Sequence, residues 1–144
     1  NPFAKLRVLE ELCRLDPADT AWAYQRGRVE FELGRAATAA TTLANCAADT
    51  RYRPEIYLDL GHAYAAAGES RQAVDCYHRL TVLPDHDKAA AAYWSLADLK
   101  SYRFSDGDLD ELRGRSKKMD GAAPYRFLLM FALARALEQK QDYS

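Results

Sequence analysis

The chain has 144 residues, the length of a single domain with a core of its own. Charged residues make up 28% of it and the net charge is −1, so general electrostatic attraction to nucleic acid or to acidic membranes is not expected. With 49% hydrophobic residues and nine Tyr, disorder is excluded. No apolar run approaches the roughly 20 residues that cross a bilayer, so no membrane segment is predicted.

The N-terminal stretch NPFAKLRVLEEL lacks the basic start and apolar centre of a signal peptide, and it does not begin with Met. We therefore expect a chain that is trimmed or that is part of a longer protein. Cys13, Cys46 and Cys76 lie far apart and form no CxxC motif, which favours buried, reduced thiols over a disulfide or a metal site. A reducing, cytoplasmic location is predicted.

In chain order, the first predicted element is a helix in KLRVLEELCRLDP, which ends at Pro17. Two similar helix pairs follow, with first helices in YQRGRVEFELG and YLDLGHAYAAAG and second helices over 36–48 and 70–83. Residues of matching type recur 34 positions apart in these pairs, namely Gly27 and Gly61, Gly34 and Gly68, and Ala39 and Ala73. Recurrence at one fixed step predicts a tandem repeat.

The two glycines of each first helix have different predicted roles. A glycine inside a helix costs about 1 kcal/mol relative to alanine, so Gly27 and Gly61 are predicted to admit a neighbouring helix closely. Gly34 and Gly68 are predicted to take the left-handed conformation that ends a helix. Ala39, near the start of a second helix, is small enough for the paired helices to cross tightly.

The third unit departs from this register. Its Leu-Ala pair, at Leu96, comes 36 residues after the Leu-Gly pair of the previous unit, and the loop LPDHDK is predicted to hold the two extra residues. A first helix is predicted over 88–100, with SYRF in place of the terminal glycine. Ser105 and Asp108 form a capping pair for a helix over 106–118. A last helix is predicted in GAAPYRFLLMFALARALEQKQDYS.

These features resemble the tetratricopeptide repeat, whose pattern is W-x2-L-G-x2-Y, then A-x3-F, then P. The best copy is Tyr57-x2-Leu60-Gly61-x2-Tyr64 followed by Ala73-x3-Tyr77. The resemblance implies an all-α fold, an α-α superhelix (a tetratricopeptide solenoid) of antiparallel helix pairs. The predicted organisation is one domain over 1–144, with the second helix of a partial repeat at 1–17, repeats at 20–51 and 54–86, a divergent repeat at 88–119 and an incomplete repeat at 122–144.

Residues 87–144 carry a further resemblance. AYWSLADLKSYRFSDGDLDELR followed by FALARALEQKQDY resembles the end of the repeat array in bacterial tetratricopeptide-sulfotransferase proteins. In that family the array precedes a sulfotransferase domain that uses phosphoadenosine phosphosulfate. The phosphate-binding motif of that domain would follow Ser144, so no catalytic residue is assigned here. The chain itself is predicted to be no enzyme and to bind no cofactor.

No metal site is predicted, because His62, His78 and His86 lack the spacing of metal ligands. Asp85-His86-Asp87 is interpreted as an exposed turn. The acidic residues at 106, 108 and 110 and the basic run RGRSKK at 113–118 are interpreted as charges that favour the two ends of a helix.

In the family that the chain resembles, the first helices line a concave face. The residues predicted to bind a partner there are Tyr24, Arg28, Phe31, Glu32, Leu58, His62, Trp94, Asp98, Tyr102, Phe131 and Arg135. The alternative for the aromatic members is that they fill the core between helices. The predicted partner is an extended peptide or another protein, and the uncovered apolar face of PYRFLLMFALARAL predicts a homo-oligomer formed through the C-terminal helix.

The predicted function is a non-catalytic protein–protein interaction scaffold. Its predicted setting is the N-terminal region of a sulfotransferase-like protein, where it positions a substrate or mediates self-association. The alternative is a free-standing adaptor that binds a peptide or a partner protein and has no enzyme domain attached.

Overall fold

The computed structural model describes residues 1–49 and 54–141, and these residues form eight α-helices and no strand. The helices are α1 (Pro2–Leu15), α2 (Thr20–Glu32), α3 (Ala36–Ala47), α4 (Glu55–Ala66), α5 (Ser70–Thr81), α6 (His86–Asp98), α7 (Asp106–Lys118) and α8 (Arg126–Gln141). The predicted all-α fold of paired helices is confirmed. The repeat boundaries predicted at residues 51 and 144 lie outside the described residues. Two compact units divide the chain, unit 1 (Asn1–Cys76) and unit 2 (Tyr77–Ser144).

Most helix ends lie within two residues of the predicted positions, and α7 begins and ends as predicted. Helix α6 was predicted over 88–100 and spans His86–Asp98, so both of its ends come two residues earlier than predicted. The Asp85 side chain explains the shift, because its Oδ1 accepts hydrogen bonds from the N–H groups of Asp87 at 3.0 Å and Lys88 at 3.3 Å. The helix then ends before Leu99, which has an extended backbone.

In unit 1, consecutive helices pack on one another: α1 on α2, α2 on α3, and α3 on α4. Only three residues separate α2 from α3, so these two helices run antiparallel. Val29 packs against two leucines of α1. Farther along, Leu43 of α3 packs against Leu60 and Ala63 of α4, and all three are buried. Each pair therefore covers apolar surface that its neighbour would otherwise expose to water.

Three glycines of unit 1, namely Gly27, Gly34 and Gly68, have the roles predicted for them. A Cβ at Gly27 would lie 2.7 Å from both Cγ and Cδ2 of Leu43, so the absent side chain is what lets α3 approach α2. Gly34 and Gly68 have φ of +77° and +83°. Their left-handed backbones end α2 and α4.

In unit 2, α8 packs against both α6 and α7. The buried faces are apolar, with Leu96 from α6, Leu112 from α7 and Leu129 from α8 fully shielded from solvent. Residues 99–105 connect α6 to α7 where the earlier units turn on a glycine.

Side-chain hydrogen bonds hold the connection between α6 and α7. Buried Gln139 of α8 accepts a hydrogen bond from the Phe104 N–H at 2.9 Å and donates one to the Tyr102 carbonyl at 3.1 Å. Ser105 and Asp108 form the predicted capping box at the start of α7. The connection therefore needs no glycine, because Gln139 satisfies backbone groups of Tyr102 and Phe104 that would otherwise be buried unpaired.

Arg115 has a role that the sequence pattern did not predict. It was interpreted as one of the basic residues that favour the end of α7, but it is buried and reaches the end of α5. Its Nη2 donates to the carbonyl oxygens of Thr81 at 2.8 Å and Leu83 at 2.6 Å, and its Nη1 lies 3.0 Å from His86 Nδ1. The guanidinium thus satisfies carbonyls that a helix end leaves without partners.

Alanine at Gly27 and at Gly114 should have opposite effects on stability. The Cβ of Gly27→Ala collides with buried Leu43, so we expect a loss of about 1–3 kcal/mol from overpacking. Gly114 lies inside α7 with no atom near the position of a Cβ, so Gly114→Ala should gain up to about 1 kcal/mol from helix propensity. Urea unfolding measures both changes, and a stabilised Gly27→Ala variant would contradict the proposed helix crossing.

Arg115→Met should destabilise the chain by about 1.5–3 kcal/mol, because the substitution leaves two carbonyls without a charged donor. Arg113→Met is the matched control on the same helix, since Arg113 is exposed and its loss should change the free energy of unfolding by less than about 0.5 kcal/mol. Equal effects of the two substitutions in thermal unfolding would show that Arg115 does not stabilise the end of α5.

Candidate functional site

Residues of α2 and α4 form a cleft of about 130 Å³ in unit 1. Arg28, Phe31 and Glu32 line it from α2, and His62 lines it from α4. All four were predicted from the sequence to bind a partner. Leu43 of α3 also lines the cleft; it is fully buried and forms the floor. We call this feature the unit 1 cleft.

Asp59 organises the polar side of the unit 1 cleft. The Tyr24 hydroxyl donates a hydrogen bond to Asp59 Oδ2, and Arg28 Nε lies 3.9 Å from the same oxygen. The Arg28 guanidinium also lies 5.9 Å from the centre of the Tyr24 ring, within the range of a cation–π contact. Burial, followed by the hydrogen bond to Asp59, raises the pKa of Tyr24 well above its usual range. The Tyr24 hydroxyl and the Arg28 guanidinium thus both lie against one carboxylate oxygen of Asp59.

Asp59 was absent from the predicted site, whereas its neighbour Leu58 was included. Asp59 lines the cleft, while half-buried Leu58 is not among the described residues that do so. One signal in the sequence could have revealed Asp59: it is the one acidic residue inside the apolar run IYLDLGHAYAA. A carboxylate in such a run needs a partner when the helix packs, and here Tyr24 supplies it.

A larger concavity of about 680 Å³ lies at the start of α2. Its lining includes Asp19, Trp22 and Gln25 of this region, and Tyr24 is the one predicted site residue among the described residues that line it. The predicted residues of unit 1 therefore gather mainly in the smaller unit 1 cleft.

In unit 2, three aromatic rings gather on the outer surface of α6 and α8. The centre of the Trp94 ring lies 4.7 Å from that of Phe131 and 6.4 Å from that of Phe127. Phe127 is 66% exposed and Phe131 is 51% exposed. We call Trp94, Phe127 and Phe131 the aromatic patch. Trp94 and Phe131 were predicted, whereas Phe127 was missed although it precedes Phe131 by one helical turn.

The charged residues predicted for unit 2 lie one turn beyond members of the aromatic patch. Asp98 follows Trp94 by four residues on α6, and Arg135 follows Phe131 by four residues on α8. Both are exposed, and Arg135 Nη1 lies 3.6 Å from Glu138 Oε2. An exposed ion pair of this kind contributes little to stability, so Arg135 remains able to contact other groups.

Tyr102 lies apart from the aromatic patch. It follows the end of α6, and its hydroxyl donates to Asp108 Oδ2 at 2.6 Å and lies 2.9 Å from His78 Nε2. Burial, and then the hydrogen bond to Asp108, raises the pKa of Tyr102 above its usual range. The Tyr102 hydroxyl therefore stabilises the connection between α6 and α7 and is not placed to contact a partner.

Within residues 1–49 and 54–141, no group of three His, Cys, Asp or Glu side chains is arranged to hold a metal ion. Asp85 caps α6, and Asp108 accepts the Ser105 N–H in the capping box of α7, so both form hydrogen bonds at helix starts. Cys46 and Cys76 are buried as predicted, Cys13 is half-buried, and none of the three forms a disulfide. In the same part of the chain, no helix has the length and apolar character needed to cross a bilayer.

No protein-family model matches this chain, and no curated protein matches it in a sequence search. A solved structure titled "Crystal structure of MamA" is similar to it, with a TM-score of 0.41 and 20% sequence identity over 96% of this chain and 88% of that chain. A similarity of this size carries no argument about this chain. The fold is therefore assigned from the helices and packing described above.

Proposed function

We propose that this chain is a non-catalytic protein-interaction scaffold of the tetratricopeptide type, which binds an extended segment of a partner protein at the unit 1 cleft. The observation that carries the proposal is the meeting of Arg28, Phe31, Glu32 and His62 around one concavity. These residues come from two helices that the sequence resemblance assigns to the binding face.

The chemistry of the unit 1 cleft fits a peptide better than a small polar ligand. Fully buried Leu43 lies beneath the cleft, and Phe31, 38% exposed at its edge, supplies the apolar surface that a partner can reach. An apolar side chain of the partner would lose contact with water there. An extended peptide also brings unpaired N–H and C=O groups, and exposed Glu32 and Arg28 supply an acceptor and donors for them.

The network around Asp59 supports the same proposal through preorganisation. The Tyr24 hydroxyl fixes the Asp59 carboxylate beside the cleft before any partner arrives, and exposed Arg28 lies 3.9 Å from that carboxylate. Ordering a long side chain on binding costs about 0.5–1.5 kcal/mol, and a side chain that is already held avoids part of this cost.

The wider setting is a finer proposal. The resemblance of residues 87–144 to tetratricopeptide-sulfotransferase proteins supports a role beside a sulfotransferase-like domain, for which the scaffold would position a substrate. The alternative is a free-standing adaptor. A Gly-rich phosphate-binding loop in the coding sequence after Ser144 would separate the two. Three cysteines without a disulfide support a reducing, cytoplasmic location.

Two substitutions on α2 test the location of the binding site. Random-sequence peptides are selected on the immobilised chain, and the affinity of the enriched peptides is measured by fluorescence polarisation. We expect Phe31→Ala to weaken binding by about tenfold or more, because the partner loses the edge of the cleft. Arg28→Ala should weaken binding as well, since it removes the donors beside Asp59.

Trp22→Ala is the matched control. Trp22 lies on the same helix and is 37% exposed, close to the 38% of Phe31, but it lines the larger concavity instead. The proposal expects this variant to bind like the unmodified chain. Loss of binding with Trp22→Ala and not with Phe31→Ala would move the site to the larger concavity and reject the unit 1 cleft.

A further inference from the structure

We infer that the aromatic patch of unit 2 binds a second copy of this chain, through an antiparallel contact between the two α8 helices. This inference concerns a different surface from the unit 1 cleft, so it stands or falls independently of the proposed function. Its occupant is identified by the order of aromatic and charged residues along α8.

The patch is ordered before it binds anything. Trp94 packs against Phe131 at 4.7 Å between ring centres, and Phe127 adds a third ring at 6.4 Å from Trp94. Phe127 and Phe131 nevertheless remain 66% and 51% exposed, and neighbouring Met130 is 38% exposed. Rigid aromatic rings lose little conformational entropy on binding, which favours their use in an interface.

The residue order of α8 is complementary to itself. Phe127, Phe131 and Arg135 follow one another at intervals of four residues, so they lie along one face of the helix. When two such helices meet antiparallel about a two-fold axis at Phe131, each Phe127 faces Arg135 of the other copy. The two Phe131 rings then meet at the axis.

Each copy would supply both halves of this contact. A guanidinium over an aromatic ring is attractive, and the two-fold axis makes the contact occur twice. Arg135 is available for it, because its side chain is 45% exposed and its ion pair with Glu138 is exposed as well. A cation placed two turns from an aromatic residue, on one helix face, is the pattern that a second copy can match.

The patch is small for a protein–protein interface. An aromatic side chain buries about 150–250 Å², so the exposed parts of Phe127 and Phe131 supply roughly 200 Å² per copy. With Met130 included, the dimer would bury on the order of 600 Å² in total, below the roughly 1,200–2,000 Å² of stable interfaces. We therefore expect a weak dimer that forms only at high protein concentration.

Sedimentation equilibrium of the 144-residue chain over a concentration series tests the dimer. The average mass should rise with concentration from 16.2 kDa toward twice that value. Replacing Phe127 by either charge removes the same ring, but the two charges face Arg135 of the other copy differently. Phe127→Glu should retain association. Phe127→Lys should raise the dissociation constant of the dimer at least about tenfold above that of Phe127→Glu.

The double variant Phe127→Lys with Arg135→Glu should restore association to the level of Phe127→Glu, since it reverses both charges. Val82→Lys is the control, because Val82 is an apolar residue of unit 2 that lies outside the patch and is 77% exposed. This variant should show the same average mass as the unmodified chain at each concentration. Phe127 is largely exposed, so its variants should keep the circular-dichroism melting temperature of the unmodified chain.

Two results would overturn the inference. One is a mass that stays at 16.2 kDa at every concentration. The other is an equal effect of Phe127→Glu and Phe127→Lys, because the antiparallel register requires the sign of the charge to matter. A second pair of variants tests the same register: Arg135→Lys should preserve association and Arg135→Glu should weaken it. Equal average masses of these two variants at the same concentration would also reject the register.

Discussion

The contact between Gly27 and Leu43 is the constraint on which unit 1 depends. With no side chain at Gly27, the Leu43 side chain occupies the space where a Cβ would lie, and α3 comes close against α2. On its other side α3 packs against α4, where Leu60 and Ala63 are buried. The same Leu43 forms the floor of the unit 1 cleft, so the helix crossing that builds the core also sets the depth of the candidate binding site.

In unit 2, polar side chains perform a task that glycine performs in unit 1. Gly34 and Gly68 end their helices by taking positive φ. At the corresponding place after α6, Gln139 pairs with backbone groups of Tyr102 and Phe104. Gln139 belongs to α8, so this turn depends on a helix that comes later in the chain. The same helix buries Gln139 and leaves Phe127 exposed on another part of its surface.

The two candidate surfaces have different chemistry. The unit 1 cleft has an apolar floor and a rim that carries both signs of charge, held by the network of Tyr24, Asp59 and Arg28. Such a rim can pair with the backbone of an extended peptide. The aromatic patch is mainly apolar, with a cation one turn away, and this order suits a flat contact between helices. Each surface therefore favours a different class of partner.

Local chemistry was enough to locate the helices from the sequence. Glycine at helix ends, the Ser105 and Asp108 capping box, and the recurrence of small residues act within a few neighbouring positions, so the sequence alone determined the all-α fold and most helix ends. Tertiary packing decided what the polar and aromatic side chains do, because their partners lie on other helices. Asp59 meets Tyr24, 35 residues away, and Arg115 meets the carbonyl of Thr81, 34 residues away. No periodic pattern within one helix encodes such pairs, since they exist only after the helices have packed.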